Sequence, residues 1–308
     1  MYNQSVPYSV RVEYIRDGLI EEFHDGVLSF GEDGDLTPYF LRSCAKPLQA
    51  SLLIDYGADF TPKELAFCSG SHAGEDCHVE TAKGLLKKLE IDEGYLKCGI
   101  HPPLSASMRK KMLLHGEKET ELHNNCSGKH IGFLAVCKIK GWDTNTYYLP
   151  EHPLQQEVKC KIYELCEISS KSNYPLTTDG CGVPIVSMPL ANLIKGYKNL
   201  CIKYPEIASA IISNPYIYGG EDRLDTEIIQ NSKNIIAKVG AGGLCVVYNL
   251  DSKKGFAVKM NDASMPARRI AVFEILKRLG WAEIFYDNKI KTLSGKVVGE
   301  IKVHCDLR

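Results

Sequence analysis

The stretch from Ile235 to Met260 reads IIAKVGAGGLCVVYNLDSKKGFAVKM and holds three short apolar runs, IIAKVG, GLCVVYNL and GFAVKM, cut by Gly-rich or charged turns. Runs of this length, bounded in this way, predict short strands following one another closely. The opposite end of the chain carries a similar signal. Ser9 to Phe30 alternates roughly apolar and polar, and Asp17-Gly18 and Asp25-Gly26 read as turns of an antiparallel meander. Between these ends the apolar spacing is helical. Leu48 to Tyr56 forms one such segment and stops at Gly57, and Glu75 to Leu89 places Ala82, Leu85, Leu86 and Leu89 on one face. His152 to Cys166 is a further amphipathic segment, Val186 to Leu193 continues a mainly helical middle, and Ala267 to Leu279 forms the last helix. Strands at both ends with helices between predict an α+β fold, in which a mixed, mainly antiparallel sheet built from the two termini is covered by helices. No repeat, low-complexity stretch or linker interrupts the chain, so residues 1–308 read as one domain with helical insertions.

Of the 308 residues, 44% are hydrophobic and 24% charged, and the formal net charge is −1. That balance suits a soluble globular protein and offers no basic surface for nucleic acid. The opening MYNQSVPYSV has neither the positive region nor the apolar core of a signal peptide, and the apolar runs near Val183 to Ile194 and Leu244 to Leu250 are too short or too interrupted to span a membrane. A cytoplasmic location is the expectation, with no membrane partner. Twelve cysteines then read as reduced thiols, core residues or metal ligands and not as a disulfide framework.

Arg42 to Gln49, RSCAKPLQ, sets Ser43 three positions before Lys46. A serine hydroxyl is a weak nucleophile until a base takes its proton, and a lysine can do so when burial or nearby positive charge lowers its pKa. If Ser43 starts a helix, Lys46 shares its face. Ser-x-x-Lys marks penicillin-recognising enzymes, but the pattern is short, and a capping serine beside an exposed lysine would also satisfy it. CSGSHAGEDCH, Cys68 to His78, is a small-residue turn that lets backbone approach a ligand and offers Ser71, His72 and Glu75. It reads equally as a capped turn, and Cys68, His72, Cys77 and His78 do not match a common zinc spacing. HNNCSGKH (His123 to His130) and TTDGCGVP (Thr177 to Pro184) each set a cysteine in a small polar turn, an unusual place for a core thiol. Cys126 and Cys181 as thiolates would suit zinc, or Asn125, Ser127 and Asp179 only satisfy their turns. KVGAGG, from Lys238 to Gly243, followed by the strand bearing Lys259, loosely repeats the lysine and glycine element on one wall of penicillin-recognising sites.

Taken in order, FLRSCAKPLQ, CSGSHAGEDCH, LKCGIHPP, HNNCSGKHIGFLAVC, YLPEHPLQ and TTDGCGVP resemble the successive motifs of the rhizobial-type (class 3, asparaginase II) L-asparaginases, from about Val10 to about Arg269. The resemblance implies a serine β-lactamase-like fold, hydrolysis of L-asparagine to L-aspartate and ammonia, and a homodimer. It implies two Ser-Lys pairs, Ser43 with Lys46 and Ser71 with Lys259, with Ser43 attacking the carboxamide and the second pair relaying protons. It also implies a zinc ion on Cys126, Lys129 and Cys181. Arg42, Asn125 and Asp179 would then hold the charged groups of the amino acid, with His72 nearby. The chain departs from the family pattern at Gly242, where glutamate is usual, and at Met260 to Ala263, where an acidic pair and glycine are usual. Two other readings remain on these residues: an acyl-serine hydrolase of D-peptides or β-lactams, and a zinc- or redox-responsive binding protein without activity.

Overall fold

In the computed structural model, residues 8–31 and 36–305 are described. The first seven residues of the MYNQSVPYSV stretch lie outside the described residues. The chain opens with β1 (Tyr8–Arg16) and β2 (Leu19–Ser29), followed by β3 (Tyr39–Phe40), a single 3-10 turn Arg42–Ala45, and α1 (Lys46–Asp55). A helical run follows: α2 (Pro62–Ser69), α3 (Asp76–Leu89), α4 (Ala106–His115), α5 (Ser127–Lys140) and α6 (Pro153–Leu165). Then come β4 (Leu176–Thr178), β5 (Pro184–Met188), α7 (Leu190–Lys203), α8 (Pro205–Ser213), α9 (Pro215–Tyr218) and α10 (Leu224–Gln230). The chain returns to strands with β6 (Ile235–Gly240), β7 (Leu244–Asn249) and β8 (Lys254–Met260), then α11 (Met265–Arg278), β9 (Lys289–Lys291) and β10 (Val297–Cys305).

The main sheet has seven strands in the order β6-β7-β8-β2-β1-β10-β9, and every neighbouring pair is antiparallel. It is therefore assembled from the two ends of the chain, as the alternation at both ends predicts. A smaller sheet, β3-β5-β4, lies within the helical part. The α+β class follows directly: one large antiparallel sheet with helices packed on it. Every residue of β6 and β7 is buried, which explains why their runs are apolar on both faces apart from Lys238, where an exposed face would alternate. Among the described residues no helix is long and apolar enough to cross a membrane.

Local chemistry sets the element ends. Thr61 caps α2 by accepting from the Glu64 N–H while the Glu64 carboxylate accepts from the Thr61 N–H, with Pro62 at the first turn. Ser105 caps α4, which ends on Gly116 in the left-handed region. One contiguous buried cluster runs from the helices, through Leu48, Phe67 and Leu134, into the sheet at Val246, Phe256 and Val258.

Two expectations need correction. Asp17-Gly18 is a turn, with both residues at positive φ, but Asp25-Gly26 lies inside β2. Gly26 is there because β8 passes so close that a Cβ would stand 2.8 Å from the Lys259 carbonyl oxygen. Val186 belongs to strand β5, and the helix starts only at Leu190, because a five-residue apolar run fits either element by periodicity. The last helix, α11, stands where the sequence places it, and beyond it β10, a strand that the sequence reading did not name, pairs with β1 along its length. Its charged and polar residues, Glu300, Lys302 and His304, break up the apolar signal.

Candidate active site

The first Ser-Lys pair is set by the 3-10 turn and not by the start of the α-helix. Residues i and i+3 eclipse in 3-10 geometry, so Ser43 and Lys46 lie on one side of the turn as α1 begins at Lys46. Pro47 follows inside the first turn, where its missing N–H costs nothing. Lys46 is 1% exposed, and its Nζ donates to the Asn125 carbonyl at 2.8 Å. Its pKa is lowered to about 8, chiefly by burial, with Lys129 and Lys238 adding repulsion against the pull of Cys126. An amine held in that range is half neutral near pH 8, the state a base requires.

Asn125 belongs to the HNNCSGKH turn, and that turn builds the second part of the site. Asn124, which the sequence reading passed over, donates from Nδ2 to the carbonyls of Cys98 and Gly99, each at 2.9 Å, and accepts the Cys126 N–H at 2.8 Å. It fixes the loop before α5 so that Cys126 and Lys129 face inward. Lys129 Nζ donates to Cys181 Sγ at 3.0 Å, and Cys181 stands 4.0 Å from Asp179 Oδ2. The fold thus gathers Cys126, Lys129 and Cys181 from turns more than fifty residues apart, and neither thiol is in a disulfide. The two thiols stand side by side and act on each other's titration. That interaction, helped by Lys46 and Lys129 against burial, drives the Cys126 thiol well below its ordinary value, while the same interaction and burial push Cys181 up. Burial opposes the charge on Lys129, but Cys181, Cys126 and Asp179 outweigh it and raise the ammonium.

Arg42 and Asp179 pair with each other, Nη2 to Oδ1 at 3.1 Å. Arg42 sits at φ +48, a left-handed conformation rare for a non-glycine residue, which turns its side chain toward the Cys181 loop.

Ser71 is buried, and its Oγ has no partner among the described residues. Its N–H donates to the Tyr218 carbonyl at 3.0 Å. The preceding Gly70 is required by that approach, since a Cβ there would stand 2.1 Å from the Tyr218 oxygen. His72 is fully buried and stacked between Phe67 and His78. Its Nδ1 accepts the Gly74 N–H at 3.2 Å, so its Nε2 carries the proton and faces Ser127 Oγ at 2.9 Å. Burial, then His78, Lys46 and Arg223, hold it well below its usual pKa. With both nitrogens engaged, the neutral ring braces Ser127 at the start of α5.

No hydrogen bond links Lys259 to Ser71 among the described residues. Lys259 lies on β8, separated from the edge strand β6 by β7, and its Nζ donates to the Met260 carbonyl at 2.6 Å. Another lysine, Lys238 on β6, lies beside Tyr218, whose carbonyl accepts the Ser71 N–H. It is fully buried, lies 5.5 Å from the centre of the Tyr218 ring, and pairs with Asp225 Oδ2 at 2.8 Å. The Cys44 thiol, next to Ser43, donates to the Lys238 carbonyl at 3.2 Å. The sequence signal was a charged residue inside an otherwise apolar strand, IIAKVG.

A family model described as L-asparaginase II matches residues 12–303. The chain belongs to the L-asparaginase II family. It is accordingly an amidohydrolase that acts as an L-asparaginase on an amino-acid substrate. None of the curated proteins matches it. Among solved structures it is similar to SurE, with 10% identity, 92% of this chain and 75% of that chain covered, and a TM-score of 0.42. It is also similar to the D-alanine carboxypeptidase AmpC from Burkholderia cenocepacia, at 14% identity, 90% and 95% coverage and a TM-score of 0.36. A class C beta lactamase from Rhodobacter sphaeroides gives 11% identity, 90% and 95% coverage and a TM-score of 0.37.

Proposed function

We propose that this L-asparaginase II family member hydrolyses L-asparagine with Ser43 as nucleophile and Lys46 as its base. The observation that carries the reading is the buried amine of Lys46, lowered to about 8 and set one 3-10 turn from Ser43. The neutral amine takes the Ser43 proton as Oγ attacks the side-chain carboxamide carbon, and the carbonyl electron pair moves to oxygen. Collapse breaks the C–N bond, and the leaving nitrogen takes the proton from Lys46 to depart as ammonia. Water then attacks the ester, again giving a proton to Lys46, and L-aspartate leaves with Ser43 restored.

Ser71 supplies a second hydroxyl for the proton path, a role supported by its unpartnered Oγ. We assign its lysine as Lys238 in place of Lys259, on the support of the Tyr218 wall. Cys126, Lys129 and Cys181 would hold zinc. Two buried cysteines, one of them held well below its ordinary pKa, with the Lys129 Nζ 3.0 Å from the other, fit a soft, nitrogen-tolerant cation. A bound zinc ion would supply a fixed dication tying the Cys126 turn to the Cys181 turn.

Ammonia release from L-asparagine, run beside L-glutamine, tests the reading. Rapid release by the native protein, none from Ser43→Ala, and an unchanged fold for that variant are expected. A Ser43→Ala protein of ordinary activity would move the nucleophile to Ser71.

A further inference from the structure

The cations of the site are mostly committed. Arg42 holds Asp179, Lys238 holds Asp225, and Lys129 holds Cys181. Arg42 and Arg223 each bury an Nε that has no hydrogen-bond partner among the described residues, but Arg42 already holds Asp179 at 3.1 Å through Nη2, whereas the carboxylate oxygen nearest Arg223 Nε, Asp225 Oδ1, is 4.0 Å away, beyond hydrogen-bond reach, and has no hydrogen-bond partner either. A buried guanidinium N–H without a partner is costly, and such an atom at the edge of a site points to a ligand that completes it.

The backbone places Arg223 on the Ser71 wall. Tyr218 accepts the Ser71 N–H at 3.0 Å. Two residues on, a Cβ at Gly220 would meet the Ala73 Cβ at 2.6 Å, so the segment leading to Arg223 lies directly against Ser71 to Ala73. The charge of Arg223 is also felt at His72. Two buried polar atoms without a hydrogen bond, Ser71 Oγ and Arg223 Nε, therefore belong to one wall.

We propose that Arg223 binds the α-carboxylate of the substrate. The inference rests on the L-asparaginase reading and adds to it the residue that selects an amino acid over a plain amide. A guanidinium recognises a carboxylate with two parallel N–H bonds, and one that is already mostly desolvated loses little hydration on doing so. Arg42 would serve less well, because a substrate carboxylate would have to compete with Asp179 for it.

The test compares L-asparagine with β-alaninamide, which has the same carboxamide but no α-carboxylate, on the native chain, Arg223→Lys and Arg223→Gln. For Arg223→Gln the KM for L-asparagine should rise on the order of 10- to 100-fold with a smaller change in kcat, while kcat/KM for β-alaninamide stays near the native value. Arg223→Lys should fall between, and it carries the comparison if the glutamine variant does not fold. Equal losses on both substrates, or no loss on either, would overturn the assignment and leave the L-asparaginase reading intact. A native protein that releases ammonia from neither amide would instead remove that reading, and this proposal with it.

Discussion

Lys46 Nζ donates to the main-chain carbonyl of Asn125 at 2.8 Å, so the turn that carries Ser43 is fastened to the turn that carries Cys126 by the amine proposed as the base. A neutral amine keeps N–H bonds to donate, so the tether survives loss of the proton and leaves the lone pair for Ser43. The pKa of about 8 gives this a pH signature. The active form is neutral, so kcat/KM should climb with pH through about 8. Lys46→Arg, which cannot deprotonate in this range, should be nearly inactive across it. A native profile that is flat between pH 6 and 9 would exclude Lys46 as the base.

The same group predicts a stability effect of definite sign. Lys46 titrates near 8 in the folded chain and near 10.5 when exposed, so between these values the unfolded chain binds more protons. Stability should rise with pH across that window, and the rise should be smaller in Lys46→Met. Denaturant unfolding of both proteins at pH 7.5 and 10 measures it.

Asp225 and Lys238 form an ion pair in which both side chains are fully buried. Burial alone would raise the Asp225 carboxyl, but Lys238 and Arg223 outweigh it and hold it below its ordinary value. Asp225→Ala leaves the Lys238 ammonium buried and unpaired, which should cost roughly 3–5 kcal/mol. Adding Lys238→Met should recover part of that stability while leaving turnover low. If the double variant is no more stable than Asp225→Ala, the two residues are not energetically coupled.

Gly70 offers a packing test next to the site. Its missing Cβ would stand 2.1 Å from the Tyr218 oxygen, a backbone atom that cannot rotate away. Gly70→Ala must separate the α2 terminus from the Tyr218 segment, breaking the Ser71 N–H bond, and should destabilise by roughly 1–3 kcal/mol. Turnover should fall further than stability, since Ser71 moves with the break. An alanine variant with native melting temperature and activity would show the contact is not needed.

The large sheet was legible because β6, β7 and β8 are short apolar runs with plain turn chemistry, and Ser43 with Lys46 because their spacing is local. The lysine proposed for Ser71 was not legible in the same way. Lys238 and Lys259 both sit on strands, and the proposal separates them by the strand order, with β6 at the edge, and by the Cys44 thiol reaching the Lys238 carbonyl. Cys126, Lys129 and Cys181 were assigned as a set through the resemblance, since residues alone suggested only the two thiols. Arg223 left no sequence signal, because an arginine before a short helix is ordinary until its unpartnered Nε is seen. β10 escaped for the opposite reason: its outward charged residues hide an alternation that only its pairing with β1 makes plain.

The proton count at Cys126, Lys129 and Cys181 makes metal binding measurable without an activity assay. Cys126 is held below and Cys181 and Lys129 above their ordinary values, so Cys181 and Lys129 must each lose a proton before they can ligate, and zinc uptake in weak buffer near pH 7 should release about two protons per ion. Lys129→Ala removes one of these and should release about one, with weaker binding. Cys181→Ser should bind weakest, because a hydroxyl replaces the soft thiolate. Identical proton release and affinity for the native chain and Lys129→Ala would mean that Lys129 only neutralises the thiols and does not reach the metal.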